Sequence, residues 1–294
     1  MARVLLAVNT HARRGQDARD QALAALRARG HEVEILESSS PEELVRGVAA
    51  KRGSIDVAAI GGGDGTLISA IEGVRGADVP MLILPLGTIN ELARTLAIPF
   101  DIDAACALLD EGEAHPIDAA QVNGTWFFNE ASVGLSTHVA REQTGEVKSR
   151  WGMLAIPIAT LKSIRGLRWY HFEVESDSGE RKRFRTVQLT VANSYRFGGV
   201  VENVSARIDD GQLDLYSINL KSWWSVMDVL AAVARKKFPQ ADCVETMRAR
   251  SFTVTSRRKH HVFADGEPAT ETPAKFSVVP GAIRVFIPRE KAGA

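Results

Sequence analysis

Between the apolar run Asp56 to Ile60 and a helical pattern that begins at Thr66, the chain reads Gly61-Gly62-Gly63-Asp64-Gly65-Thr66. Three glycines at the carboxyl end of a strand let backbone amides approach a phosphate, and a helix N-terminus directly after them adds donors and a favourable dipole. The flanks repeat the same grammar. Short apolar runs at Val4 to Val8, Val33 to Leu36, Val57 to Ile60 and Met81 to Leu84 alternate with helical patterns at Gln16 to Arg29, Pro41 to Arg52 and Thr66 to Val74. That rhythm is βαβ and predicts an α/β domain with a parallel sheet and helices on both faces. Ser40 as N-cap, Pro41 at the first helical position and Glu43 three past the cap make a capping box, while Gly30 and Gly53 fall where helix ends need positive φ.

The glycine loop is neither a Walker A loop, since no Gly-Lys-Ser/Thr follows, nor G-x-G-x-x-G. Asp64 repels a phosphate unless it ties the loop through backbone amides or faces a magnesium ion, so the loop points to a metal-nucleotide ligand. The bland alternative is a tight strand-to-helix turn with no ligand. A second loop, Pro85-Leu86-Gly87-Thr88-Ile89-Asn90-Glu91-Leu92-Ala93-Arg94, follows the next strand in the same way. There Thr88 is a candidate helix cap with a hydroxyl for a phosphate, and Asn90 a candidate partner for ribose, base or the neighbouring loop. Two such loops on adjacent strand ends make a crevice of the kind in which open α/β sheets bind ligands.

After His115-Pro116 the texture becomes β-rich. Ile117 to Val122, Asn123-Gly124 and Thr125 to Asn129 read as a hairpin on a type I′ turn. Further strands are expected at Leu167 to Glu175, Arg183 to Ala192, Gln212 to Ile218, Phe252 to Thr255, His261 to Ala264, Lys275 to Val279 and Ile283 to Ile287, with helices at about Trp151 to Ile164 and Ser222 to Phe238. The reading is two domains: an α/β domain over 1–114, onto which the tail 288–294 packs back, and a β-sandwich-like domain over 115–287.

Composition excludes several classes. The chain of 294 residues is 45% hydrophobic and 24% charged, which supports a buried core and excludes a disordered chain. Lys plus Arg and Asp plus Glu both number 36, so no overall field draws the chain to nucleic acid. The two cysteines, Cys106 and Cys243, form neither a disulfide framework nor a zinc motif and fit a reducing cytosol. The longest apolar stretches fall short of the roughly 20 residues of a membrane span, and the short run Val4 to Val8 suits a strand rather than a signal peptide.

In order along the chain stand Gly61 to Thr66, Pro85 to Arg94, Ile117 to Asn123, Phe128-Asn129-Glu130-Ala131-Ser132-Val133-Gly134, Asp209-Asp210-Gly211-Gln212-Leu213-Asp214-Leu215 and Asp265-Gly266-Glu267-Pro268. This series resembles the diacylglycerol kinase catalytic family, most of all its bacterial YegS-type lipid kinases. GGGDGT alone is shared with NAD kinases and phosphofructokinases, but the P-L-G-T-x-N loop and the late D-G-E are more specific. The resemblance implies that Gly62, Gly63, Asp64, Gly65, Thr66, Leu67, Ile68 and Thr88, with Asn90, bind ATP. It also implies that Glu267 is the general base, with Asp265 beside it, and that Asp64 acts near the phosphates. By the same likeness a magnesium ion is held by Asp210 and by carbonyl oxygens of Arg207 and Gln212. Read without the family, D-G-E is a turn and Ile208 to Leu213 an aspartate-rich hairpin turn.

The sequence departs from the family where Asn9 is followed by Thr10 and Gly15 comes after Arg13-Arg14. Glu91 stands for the usual aspartate, and no residue among Glu37, Ser38, Ser39 and Ser40 clearly matches the adenine-side threonine. The implied activity is transfer of the γ-phosphate of magnesium ATP to a hydroxyl of a glycerolipid such as diacylglycerol or phosphatidylglycerol, within phospholipid metabolism. Its rivals are an NAD kinase and a catalytically silent nucleotide or lipid sensor. Lipid is then the partner, met at a membrane surface by a cytoplasmic protein in peripheral, reversible contact. The basic runs Lys236-Lys237, Arg248 with Arg250, and Arg257-Arg258-Lys259-His260-His261 are candidates for that contact, and Trp223-Trp224 for the interface.

Overall fold

A computed structural model describes residues 1–9, 15–134, 168–194, 196–197, 201–202, 207–219 and 243–289. The helices expected near 151–164 and 222–238, Thr10, Arg13-Arg14, Trp223-Trp224, Lys236-Lys237 and the last five residues of the tail lie outside the described residues. The chain divides into two units, Met1–Ala119 with Pro280–Ala294, and Ala120–Val279.

The first unit runs β1 (Arg3–Val8), α1 (Gly15–Ala28), β2 (Glu32–Leu36), α2 (Pro41–Ala49), β3 (Val57–Gly62), α3 (Asp64–Ala77), β4 (Met81–Pro85), α4 (Glu91–Thr95) and α5 (Ile102–Glu111). Its parallel strands lie in the order β2-β1-β3-β4. Strands β3 and β4 are buried at every residue, as sheets covered on both faces require, whereas edge strand β2 has the half-exposed pattern of EVEIL. Helices α1 and α5 pack together, as do α2 and α3. Helix α1 leads from β1 outward to β2 and α3 leads from β3 the other way to β4, so the strand order reverses between β1 and β3. The carboxyl ends of those two strands therefore form the switch point at which such sheets open a crevice.

Ser40 caps α2 by accepting the Glu43 N–H at 3.2 Å. The Glu43 carboxylate reaches back one residue further than a capping box expects, accepting the Ser39 N–H at 2.8 Å and the Ser39 hydroxyl at 2.7 Å.

Two strands contribute residues to both units: β5 (Glu113–Val122) and the last strand, β18 (Ala274–Ile287). The second unit continues with β6 (Thr125–Phe127), β7 (Glu130–Gly134), β8 (Tyr170–Ser176), β9 (Arg181–Thr186), β10 (Gln188–Ala192), β11 (Arg196–Phe197), β12 (Val201–Glu202), β13 (Leu213–Ile218), β14 (Val244–Ala249), β15 (Ser251–Thr255), β16 (His261–Ala264) and β17 (Glu267–Glu271). The first half of β18 joins β15, β8 and β9 in one antiparallel sheet, and β14-β13-β10-β7-β16-β17 form another. Phe127, Phe172, Phe184, Leu189, Leu215 and Phe252 from the two sheets fill one core, which makes the unit a sandwich. Between β5 and β6, Asn123 (φ 48) and Gly124 (φ 89) both have positive φ, the type I′ turn expected from Asn-Gly.

Two strand expectations are corrected. The run Arg183 to Ala192 is two strands, because the chain changes sheets at Val187: β9 pairs β8 while β10 pairs β7 and β13. Thr186 holds that bend, its hydroxyl accepting the Gln188 N–H at 3.1 Å. Conversely, Lys275 to Val279 and Ile283 to Ile287 are one strand of 14 residues. Pro280-Gly281 does not break it, since Gly281 takes φ 56 and donates its N–H to Asp118 Oδ1 at 2.8 Å.

Candidate functional site

The glycine loop sits at the switch point. The Asn9 N–H donates to the Gly61 carbonyl at 2.9 Å and Asn9 Nδ2 to Thr66 Oγ1 at 3.4 Å, joining the end of β1 to the start of α3. Gly63 is the N-cap of α3 with φ −91 and ψ −178, and it has no side chain to close the first turn. The amides at that end therefore face outward with only the backbone cap behind them.

Most of the glycines have packing reasons inside the protein. A Cβ at Gly62 would stand 2.5 Å from Thr66 Cβ, one at Gly61 2.9 Å from Val8 Cγ2, and one at Gly87 2.6 Å from Gly63 Cα. The two loops thus touch backbone to backbone at Gly63 and Gly87. Gly65 is the exception, because a Cβ there meets nothing within 4 Å and no positive φ is recorded for it. A glycine in the first turn of a helix costs about 0.5–1 kcal/mol relative to alanine, and nothing in the protein's own packing explains that cost.

Asp64 follows the first of the two alternatives the sequence left open. Its Oδ2 accepts the Glu91 N–H and its Oδ1 the Leu92 N–H, both at 3.1 Å, so it ties the loop by capping α4 of the neighbouring one. Asn90 is the N-cap of α4 with φ 50, and its side chain turns inward, accepting the Gly87 N–H at 2.8 Å and donating to the Gly87 carbonyl at 2.7 Å. Thr88 is exposed on the same loop and does not cap α4. Leu67 is fully buried, so this residue of the expected nucleotide set belongs to the core. Where the adenine-side residue was sought, Val8, Leu36, Ser38, Ser39 and Glu43 line a cleft of about 250 Å³ at the ends of β1 and β2.

In the second unit, Asp265 (φ 44) and Gly266 (φ 86) form the turn between β16 and β17, with Ala264 facing Glu267. The Asp265 carboxylate accepts backbone N–H groups from Phe128 at 2.8 Å, Asn129 at 3.0 Å and Glu130 at 2.9 Å. Two stretches of sequence more than a hundred residues apart, Phe128 to Glu130 and D-G-E, are thereby one structure. Asn193 completes it, donating Nδ2 to the Phe128 carbonyl at 2.9 Å and its N–H to the Asn129 carbonyl at 2.8 Å. Sequence reasoning missed Asn193 and Ser194. Their only signal is a polar pair directly after the buried strand Gln188–Ala192. Asp265 is fully engaged as an anchor, while Glu267 is exposed at the head of β17 and available to a ligand.

The expected metal set is arranged otherwise. Asp210 Oδ1 accepts the Gln212 N–H at 2.9 Å, and Oδ2 accepts the Arg207 N–H at 3.1 Å together with the guanidinium of Arg248. Arg248 also lies 3.8 Å from Asp214, and Arg207 pairs with Asp209 at 2.9 Å. A divalent cation at Arg207, Asp210 and Gln212 would have to displace a guanidinium already neutralising the carboxylate, so these residues as arranged do not fit one. No group of three or more acidic, histidine or cysteine side chains suited to a metal occurs among the described residues.

Residues 129–287 match the family described as the YegS C-terminal NAD kinase beta sandwich-like domain, and residues 3–122 the diacylglycerol kinase catalytic domain. The chain belongs to the family of diacylglycerol kinases and YegS-like lipid kinases. Its relatives in that family include a protein of Pseudomonas aeruginosa named "Probable lipid kinase YegS-like", 32% identical over 286 residues, covering 91% of this chain and 88% of the relative. A Bacillus subtilis protein named "Diacylglycerol kinase" is 30% identical over 256 residues, covering 83% and 82%. The crystal structure of a diacylglycerol kinase from Bacillus anthracis str. Sterne superposes with a TM-score of 0.78 at 21% identity, covering 97% of this chain and 96% of that one, and shows the shared fold. The two family matches part between residues 122 and 129, close to the unit boundary at Ala119–Ala120.

Proposed function

We propose that this chain is an ATP-dependent lipid kinase, which transfers the γ-phosphoryl group of magnesium ATP to a hydroxyl of a glycerolipid such as diacylglycerol or phosphatidylglycerol. The observation that carries the nucleotide half is Gly65: at a helix N-terminus on the sheet's switch point, it leaves open the space a side chain would take. A triphosphate there meets outward amides and the positive end of the helix dipole without a lysine. In this reading Asp64 and Asn90 are positioning residues that hold the two loops together, and Thr88 offers its exposed hydroxyl to a phosphate. The family membership and the relatives' names support the lipid half.

Glu267 takes the proton from the acceptor hydroxyl as its oxygen bonds to the γ-phosphorus, and the bond from that phosphorus to the β–γ bridging oxygen breaks, releasing ADP. Asp265, bound to three amides, fixes the turn that presents Glu267 and does not itself exchange a proton. The protein works in the cytoplasm and meets its substrate at the membrane surface in reversible contact.

The test is transfer of label from γ-labelled ATP to a total lipid extract, with NAD in parallel and Glu267→Gln as control. The expected outcome is a labelled lipid, absent with Glu267→Gln although that variant still binds ATP. Label in NADP makes the protein an NAD kinase; label in neither leaves a nucleotide or lipid sensor. Loss of ATP binding in Glu267→Gln contradicts the role assigned to that residue.

A further inference from the structure

One groove of the second unit carries a charge balance unlike that of the chain as a whole, whose acidic and basic residues are equal at 36 each. The groove measures about 1310 Å³ and is lined by residues from three segments: Arg168 to Glu173, Arg183 to Arg185 and Thr255 to His260. Among the described residues, five arginines and a single carboxylate, Glu173, face it. Glu173 is matched by Arg183 at 3.7 Å. The other four, Arg168, Arg185, Arg257 and Arg258, are exposed and have no carboxylate partner among the described residues. Arg185 is held in place instead by the ring of Trp169, with its guanidinium carbon 4.5 Å from the ring centroid.

The floor is apolar and aromatic. Phe172 and Phe184 are 2% exposed, and His260 sits edge-on to Tyr170 at 5.0 Å and to Phe172 at 5.6 Å. Burial, and then the positive charge of Arg258, hold the His260 imidazole below its usual pKa, so near neutrality it serves as a ring rather than a charge.

We propose that this groove seats an anionic phospholipid of the membrane, with the phosphate on Arg168, Arg185, Arg257 and Arg258 and the apolar part of the lipid against the half-buried rings of Trp169 and His260. The inference rests on the lipid-kinase reading for its purpose, since such an enzyme must hold itself at a bilayer to reach its acceptor. Four unpaired guanidinium groups around one opening match phosphate oxygens in charge and in fork geometry. A lipid suits the floor better than single-stranded nucleic acid, because Phe172 and Phe184 belong to the sandwich core and the Trp169 ring is already covered by Arg185. Phe172 and Phe184, each 2% exposed, offer no ring face for a base to stack on. The sequence alone marks Arg257-Arg258 as one basic run among several and assigns nothing to Arg168 or Arg185. Only the sheet brings them together, with Arg185 on β9 opposite His171 on β8.

The experiment is co-sedimentation of the full chain with vesicles of equimolar phosphatidylglycerol and phosphatidylcholine, and with phosphatidylcholine alone. The variants are Arg185→Gln with Arg258→Gln, and Arg52→Gln of the first unit as control. Expected are binding to the anionic vesicles only, weakening by roughly 30-fold in the double variant, and no change in the control. Should the double variant melt below the wild type, Arg258→Gln alone, in an exposed turn, gives the reading with roughly fivefold weakening. Equal binding to both vesicles, or equal binding by wild type and variants, overturns the proposal. So does displacement from the vesicles by millimolar inorganic phosphate or by single-stranded RNA. Wild-type transfer to detergent-dispersed diacylglycerol separates the two claims. Transfer without vesicle binding removes the groove and keeps the kinase, whereas groove-dependent binding without transfer to any lipid does the reverse.

Discussion

A methyl group added at Gly65 meets no protein atom within 4 Å, whereas one added at Gly87 would stand 2.6 Å from both Gly63 Cα and Asn90 Oδ1. Gly87 therefore answers to the fold, and on the proposed reading Gly65 answers to the nucleotide. Gly65→Ala is expected to leave stability unchanged or raise it by up to about 1 kcal/mol, as alanine favours a helix, while weakening ATP binding about tenfold or more. Gly87→Ala is expected to cost about 1–3 kcal/mol by forcing the loops apart. Urea midpoints and nucleotide titration on the same samples check both. Asp265 poses the same question for a carboxylate. With three backbone N–H groups within 2.8–3.0 Å of it, Asp265→Ala strands those donors, and a loss of about 3–5 kcal/mol in urea unfolding is expected. A loss below about 1 kcal/mol contradicts its role as the anchor of the Glu267 turn.

Single ion pairs also tie elements together, and β1 and β3 show how pH reaches such a tie. Asp56, just before β3, accepts from the backbone and side chain of Arg3 on β1, and this bonding holds its carboxyl down at about 2. A depressed folded-state pKa contributes stability above the unfolded value of about 4 and loses it as pH falls toward 2. The gap in urea midpoint between wild type and Asp56→Asn is expected to be present at pH 5 and to close by pH 2. Because both side chains are about half exposed, the gap is small and shrinks in high salt. Elements differ in how openly the sequence announces them. Helix α2 carries Ser40, Pro41 and Glu43 at its start, and β1, β3 and β4 read as unbroken apolar runs because both their faces are covered. Strands β14 and β17, by contrast, are written VETMRA and EPATE, with charges and a proline that edge positions tolerate and that hide a strand from any alternation rule. Helix α5 was likewise not anticipated, whereas α4 stands where the second loop implied a helix, with Asn90 rather than Thr88 as its cap.

The molecule as a whole is one unit interrupted by another, the chain leaving the first at Ala119 and returning at Pro280. The sequence reading set that return at residue 288, but Val285 pairs Met81 of β4, and Ile283, Val285 and Ile287 are at most 4% exposed. Burying such side chains is worth about 1.5–3 kcal/mol each, and together they approach the whole stability of a domain. Truncation after Val279 is expected to unfold the first unit. The reporter is Cys106, a buried thiol pushed up to about 12 by that burial and inert to alkylation in the intact chain, which becomes reactive in the truncated one. What the sequence determined by itself was everything set within one element and its flanks: the βαβ order, the cap of α2, the Asn123-Gly124 turn, and the placing of a glycine loop at a strand end. What only the tertiary structure decided was the role of each polar side chain. Asp64 caps a helix 27 and 28 positions on, Asp265 holds amides 135 to 137 positions back, and Asp210 meets a guanidinium 38 positions away. A carboxylate is the same letter whether it holds amides, pairs with arginine or takes a proton. Its chemistry comes from partners that only the folded backbone brings within three ångströms or so.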